Sequence, residues 1–127
     1  MTKLTDSQLY TKCKEYGLNA KIWMRKFAAL LPEVYKRQLF RRRGFVSIHE
    51  FAAKLAGMNY STTDKILNLA ARLEDKPALK ELFQSAAQGW SKIETVAYVA
   101  TSETDKFWAG KVKNLPKQTL EAYVFET

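Results

Sequence analysis

Apolar residues recur along this chain at steps of three and four, and no alternating stretch is long enough for a strand. Thr5 and Gln8 form a capping box for a first helix whose stripe is Leu9, Cys13 and Tyr16, with Gly17 as its expected stop. Lys12 and Lys14 fall on its wet side, so the element is expected to pack as an N-terminal lid. Asn19 caps a second helix with Ile22, Trp23, Phe27, Leu30 and Leu31 as a broad stripe and Lys21, Arg25 and Lys26 off it. Pro32 either opens a further helix at its first turn or kinks the same one. The continuation to Arg43 places Tyr35, Leu39 and Arg42 on one side, and Gly44 provides the stop.

The segment from Ser47 to Arg72 predicts a helix-turn-helix hinged at Gly57. Ser47 with Glu50 and Ser61 with Asp64 each pair a cap hydroxyl with an acid three residues later, the signature of a helix start. Gly57 stands where the first helix must end on a left-handed residue. The second helix then presents Ser61, Lys65, Asn68 and Arg72 on one face, while Ile66, Leu69, Ala70 and Leu73 dock on Phe51 and Leu55.

Downstream, Pro77 opens a helix with Leu79, Leu82, Phe83 and Ala86 as its buried stripe, closed by Gly89. Ser91 with Glu94 starts another, whose Ile93, Val96, Ala97 and Ala100 face inward and whose Tyr98 and Val99 widen that face. Residues 101–105 start a helix bearing Phe107, Trp108 and Val112, and Pro116 starts the last, bearing Leu120, Tyr123 and Val124. The expected fold is all-α, one compact domain of about seven to nine short helices over residues 1–127. Within it, residues 1–44 are basic N-terminal helices, 45–76 the helix-turn-helix and 77–127 C-terminal helices. Internal repeats are absent, and no heptad seam marks a dimer interface, so the pattern leaves the oligomeric state open.

Composition adds bounds. A chain of 127 residues buries about two thirds of its unfolded surface and folds without disulfides or metal. The 46% hydrophobic, 13% aromatic and 27% charged content excludes a disordered tail. Cys13, the single cysteine, permits neither an internal disulfide nor a cysteine-based zinc site, and its stripe makes it an expected core residue. The same spacing sends Trp23 and Trp108 to the core. With no membrane-length apolar run and no signal-peptide core after Met1, the expected location is cytoplasmic, with no membrane partner.

Charge changes the picture more. The net charge is +8, and residues 1–44 carry all of it, with eleven Lys or Arg against three acids, whereas 45–127 hold ten of each. Clustered cations suit a polyanion, because neutralising phosphates releases counterions. At the end of the basic segment stand Arg41, Arg42 and Arg43. Cations at a helix C-terminus complement its dipole, but three adjacent arginines point in three directions and repel one another. Phosphate contact, or tying down neighbouring carboxylates, accounts for them better.

Catalytic chemistry finds no anchor here. A metal-dependent nuclease needs several converging His, Asp or Glu ligands, and His49 is the only histidine, placed in the first turn after Ser47. Serine and cysteine nucleophile systems would have to share it, and the five glycines form no phosphate loop. No catalytic residue, metal or cofactor is therefore expected.

From about Leu39 to Val124 the order of motifs resembles the helical domain found ahead of the HNH nuclease domain in many bacterial HNH-endonuclease-type proteins. That family reads as a basic helix followed by Gly-aromatic-x-Ser-hydrophobic-x-Glu-aromatic, matched by Gly44, Phe45, Ser47, Ile48, Glu50 and Phe51. Its Leu-Gly-hydrophobic-Ser step is matched by Leu55, Gly57, Met58 and Ser61 with two extra residues around the turn. Pro77, Gly89-Trp90-Ser91-Lys92-Ile93 and the segment from Lys117 to Val124 follow the family's later helices. The helix-turn-helix segment is also similar to that of plasmid partition proteins. The resemblance implies a DNA-associating module of a nuclease-like, plasmid or phage protein; the nuclease half, with its paired histidines and asparagine, is not among these residues.

These readings converge on duplex DNA as the expected partner, bound in a salt-dependent manner. Ser61, Thr62, Lys65, Asn68 and Arg72 would approach bases or phosphates while Arg41, Arg42 and Arg43 grip the backbone. Asn68 and Arg72 have the fork geometries that read adenine and guanine. The alternative is a non-catalytic interaction domain whose basic N-terminal region docks on an acidic protein partner.

Overall fold

A computed structural model describes residues 3–86 and 89–126. Among them the chain forms eight helices and no strand: α1 (Asp6–Lys36), α2 (Leu39–Arg42), α3 (Ile48–Ala56), α4 (Tyr60–Arg72), α5 (Pro77–Ser85), α6 (Trp90–Ala97), α7 (Asp105–Asn114) and α8 (Lys117–Phe125). The all-α expectation and the helix number hold. No helix of the described residues is long and apolar enough to cross a membrane.

The largest departure from the sequence pattern is α1, a single helix of 31 residues where two or three short ones were expected. Thr5 caps it with the expected capping box to Gln8. Gly17 does not stop it: among the described glycines only Gly44 and Gly57, at φ +88° and +65°, take the left-handed conformation that ends a helix. A helical glycine costs about 1 kcal/mol relative to alanine, less than abandoning a propagating helix and nucleating another. Asn19 accordingly caps nothing, and Pro32 sits inside the helix near its end. Pro32 lacks the N–H that would pair with the Ala28 carbonyl, a loss offset by burial of Ala28 and Leu31 beside it. The chain leaves helical geometry at Gln38, whose φ of 56° is left-handed, so Arg41 and Arg42 belong to the separate, four-residue α2 and Arg43 is its C-cap.

The inner half of α1 is the spine against which α2, α3, α4 and α5 pack, while α5 packs on α7 and α6 on α8, α7 and α4. Leu31, Ile66, Leu73, Leu79, Ile93, Val96, Val112 and Leu120 are fully enclosed between them. The α5 stripe and the α6 residues Ile93, Val96, Ala97 and Ala100 are buried as expected, as is Trp108, whereas Tyr98 is exposed and Val99 half-buried. The outer half of α1 is not a lid. Every residue from 3 to 21 is exposed, including Leu9, Cys13 and Tyr16, because no other element lies opposite that stripe. Trp23 and Leu30 are exposed for the same reason, and Leu55, expected in the core, is exposed at the end of α3.

Two contacts fix the body. Asp105, buried at the first turn of α7, accepts from the backbone N–H of Ala78 at 2.7 Å and of Leu79 at 2.9 Å, closing the start of α5 from 26 residues away. α5 begins at Pro77 with no cap from its own preceding side chain, so the remote carboxylate does the capping and lies at the positive end of the helix dipole. α5 then ends on Ala86 at φ 58°, before Gly89, which instead precedes α6; Ser91 lies within that helix and is not its cap.

Candidate nucleic-acid interface

The exposed face of α4 is set by what its other face buries. Ser47 starts α3 by accepting from the Glu50 N–H at 3.1 Å, as expected, and Gly57 ends it in the left-handed conformation. Met58 then drops into the core and Asn59 caps α4, accepting from the Thr62 N–H at 2.8 Å. The start is thus two residues earlier than Ser61, which lies in the first turn without capping it. Thr63 is fully buried, its hydroxyl donating to the Asn59 carbonyl at 3.0 Å, and Ile66, Leu69 and Leu73 follow it inward. This anchoring turns Ser61, Lys65, Asn68 and Arg72 out together, all exposed, with Thr62 half-buried at their edge.

Asp64, expected to spend its charge on capping, spends it elsewhere. Its Oδ1 lies 2.7 Å from His49 Nε2, and the imidazole stacks on Tyr60 with ring centroids 3.7 Å apart. The pair bridges the starts of α3 and α4.

The C-terminal end of the face meets α6. The Arg72 guanidinium lies 4.3 Å from the centre of the Tyr98 ring, a cation–π contact on an exposed aromatic face. Lys65, Asn68 and Arg72 share a shallow groove of about 70 Å³ with Glu94 and Tyr98. Asn68 also borders a wider groove of about 550 Å³ toward Tyr35, Lys36 and His49, so it stands on the crest between the two. Tyr98 and Glu94 were not among the expected site residues; Tyr98 was expected to widen the buried face of α6, yet it points outward. Its position two residues beyond Val96 was the available signal, since Val96, Ala97 and Ala100 already complete the inward stripe.

Arg41, Arg42 and Arg43 are exposed on a turn of α2 that packs on α1. Phe40, buried beneath them and stacked on Tyr35, holds the turn in place. Arg42 donates to the Arg37 carbonyl at 3.3 Å, Arg41 lies 5.9 Å from the Phe40 ring, and no ion pair engages any of the three among the described residues. The turn and the α4 face are separate patches, with no hydrogen bond or ring contact between them among the described residues.

The described residues contain no group of three or more His, Cys, Asp or Glu placed to hold a metal. No family model matches the chain, and no curated protein or solved structure matches it.

Proposed function

We propose that this domain binds duplex DNA, with α4 as the helix presented to a groove and the Arg41–Arg43 turn contacting the backbone. The observation that carries the reading is the α4 face: Ser61, Lys65, Asn68 and Arg72 are exposed in one row on a helix whose opposite row is locked in the core. A rigid helix with a polar row of hydroxyl, ammonium, amide and guanidinium groups supplies donors for phosphates and base edges. α3 and the turn at Gly57 hold that helix as the first half of a helix-turn-helix would.

Electrostatics support the same assignment. The excess charge of +8 lies in residues 1–44, and the three unpaired arginines close that segment immediately before α3. Asp64 is occupied by His49, which leaves Glu94 as the acid bordering the groove beside Lys65 and Arg72. The likeness to helical domains ahead of HNH nucleases points the same way, as a non-catalytic module. Phosphate contacts at Arg41–Arg43 supply affinity without sequence preference, whereas Asn68 and Arg72 supply whatever discrimination the domain has.

Titration of a fluorescent duplex at several salt concentrations tests this. Affinity falls steeply with salt, and replacing Arg41, Arg42 and Arg43 by Gln lowers it on all duplexes alike while flattening the salt slope by about 2 to 3. Absence of binding even at low salt rules the proposal out. Asn68→Ala changes the ranking of duplex sequences more than the mean affinity; a uniform loss removes the base-reading assignment.

A further inference from the structure

The continuous α1 creates a pattern that the shorter expected helices concealed. Leu9, Cys13, Tyr16, Ala20, Trp23, Phe27 and Leu30 follow one another by alternating steps of four and three along one uninterrupted helix. That is the seam of a coiled coil. Leu9, Tyr16, Trp23 and Leu30 are 53%, 60%, 65% and 63% exposed. Of the seven, Phe27 alone is half-buried, against Phe51, and only the Lys12 and Lys26 ammonium groups of α1 itself lie over the Tyr16 and Trp23 rings among the described residues. A solvated helical arm with a central glycine is marginal by itself, since helices draw most of their stability from packing an apolar face. We propose that a second copy of this chain covers the seam, forming a two-fold antiparallel dimer through the outer half of α1.

The sizes of the seam residues identify both the occupant and its direction. One row, at every seventh position, holds the large Leu9, Tyr16, Trp23 and Leu30; the other holds the small Cys13 and Ala20, then Phe27. A parallel pair would set Trp23 against its own equivalent and Ala20 against Ala20, giving overfilled and hollow layers in turn. An antiparallel pair faces one row with the other, so Ala20 meets Trp23 of the second copy and Cys13 meets Leu30. Phe27, which meets Tyr16, is already half-buried against Phe51 and projects less. The surface is thus complementary to itself, as a two-fold interface requires.

The body also leaves room for the second arm. A mainly apolar groove of about 440 Å³ runs beside the seam, lined by Ala20, Trp23, Phe27, Leu30 and Leu55 with the charged Lys26 at its edge. Leu55, exposed at the end of α3, forms part of its wall. In the same register Lys12 comes alongside the exposed Glu33 of the second copy, whose carboxylate also pairs with Arg37 of its own helix at 2.8 Å. Lys14, Lys21 and Arg25 stay outside the seam and Lys26 borders it over the Trp23 ring, so the remaining charge between the copies is repulsive.

Sedimentation velocity with the full chain between micromolar and hundred-micromolar concentrations tests the proposal. The wild type sediments at twice 14.6 kDa, and added salt strengthens the dimer by screening the lysines. Trp23→Asp raises the dissociation constant about a hundredfold or more, while Leu18→Lys, on an equally exposed residue off the seam, leaves it unchanged. Circular dichroism shows that both variants keep the folded body. In Leu30→Cys, mild oxidation links Cys13 to the new thiol of the second copy; in the wild type no Cys13–Cys13 link forms. A monomer at every concentration, equal effects of the two substitutions, or efficient Cys13–Cys13 linkage each overturns the antiparallel pair. So does an arm that stays monomeric and binds only an acidic protein, with an affinity that salt weakens.

Discussion

The two halves of α1 belong to one helix and live in different environments. From Met24 to Val34 it is walled by α3, α4 and α5, and Ala28 and Leu31 are sealed from solvent. From Asp6 to Lys21 the same helix carries Leu9, Cys13, Tyr16 and Ala20 with no wall. Similar apolar spacing thus contributes to the folding of the body in one half and presents an adhesive surface in the other. The difference lies in whether another element exists to cover the stripe, which is a property of the topology and not of the helix.

Paired truncations break or sharpen this contrast most strongly. Leu31→Ala, at a fully buried site, costs about 3 kcal/mol, whereas Leu9→Ala changes monomer stability by under about 0.5 kcal/mol. Urea unfolding at dilute concentration measures both, and comparable losses would mean that the arm packs on the body. Next in size is Asp105→Ala, which leaves the Ala78 and Leu79 N–H groups without acceptors and costs about 2 kcal/mol. Asp105→Asn keeps an acceptor oxygen and loses less, a ranking that thermal melts resolve. Gly17→Ala acts on the arm alone: nothing lies within 4 Å of the added methyl, and helicity by circular dichroism rises with a gain of about 0.5 to 1 kcal/mol.

The smallest expected effect is a pH dependence after α4. Lys76, whose ammonium also donates to the Arg72 carbonyl at 2.8 Å, hydrogen-bonds Asp75 and holds its carboxyl below the ordinary aspartate value of 3.8. A lowered folded-state pKa adds stability that is present above the ordinary value and is lost as pH falls through the lowered one. Asp75→Asn therefore destabilises slightly at neutral pH, and its acid-unfolding curve meets that of the wild type below the ordinary aspartate range. A constant offset at all pH values would show that the pair contributes nothing through ionisation.

Much of the body was legible in the sequence because local chemistry and burial agree there. Pro77 and Pro116 mark helix starts, Gly57 takes the left-handed turn, and the inward stripes of α4, α5 and α6 are read directly from spacing. The α4 row was legible for the same reason, although its cap was placed two residues late: Ser61 and Asn59 are equally capable acceptors, and only the burial of Met58 selects Asn59. Gly17 misled because a glycine stops a helix only by adopting positive φ, which its type permits and does not require. Contacts made across the fold were out of reach altogether. Asp105 looks like part of its own helix start, and neither the Arg72–Tyr98 stack nor the His49–Asp64 pair leaves a periodic trace.

Location of the bound duplex tests the central claim most directly. Backbone amide shifts, followed by NMR while duplex is added at moderate salt, are expected to concentrate on residues 61–72 and 41–43, with Tyr98 perturbed through its contact to Arg72. Shifts confined to the outer half of α1, with the α4 row unmoved, would contradict the assignment of that face to DNA.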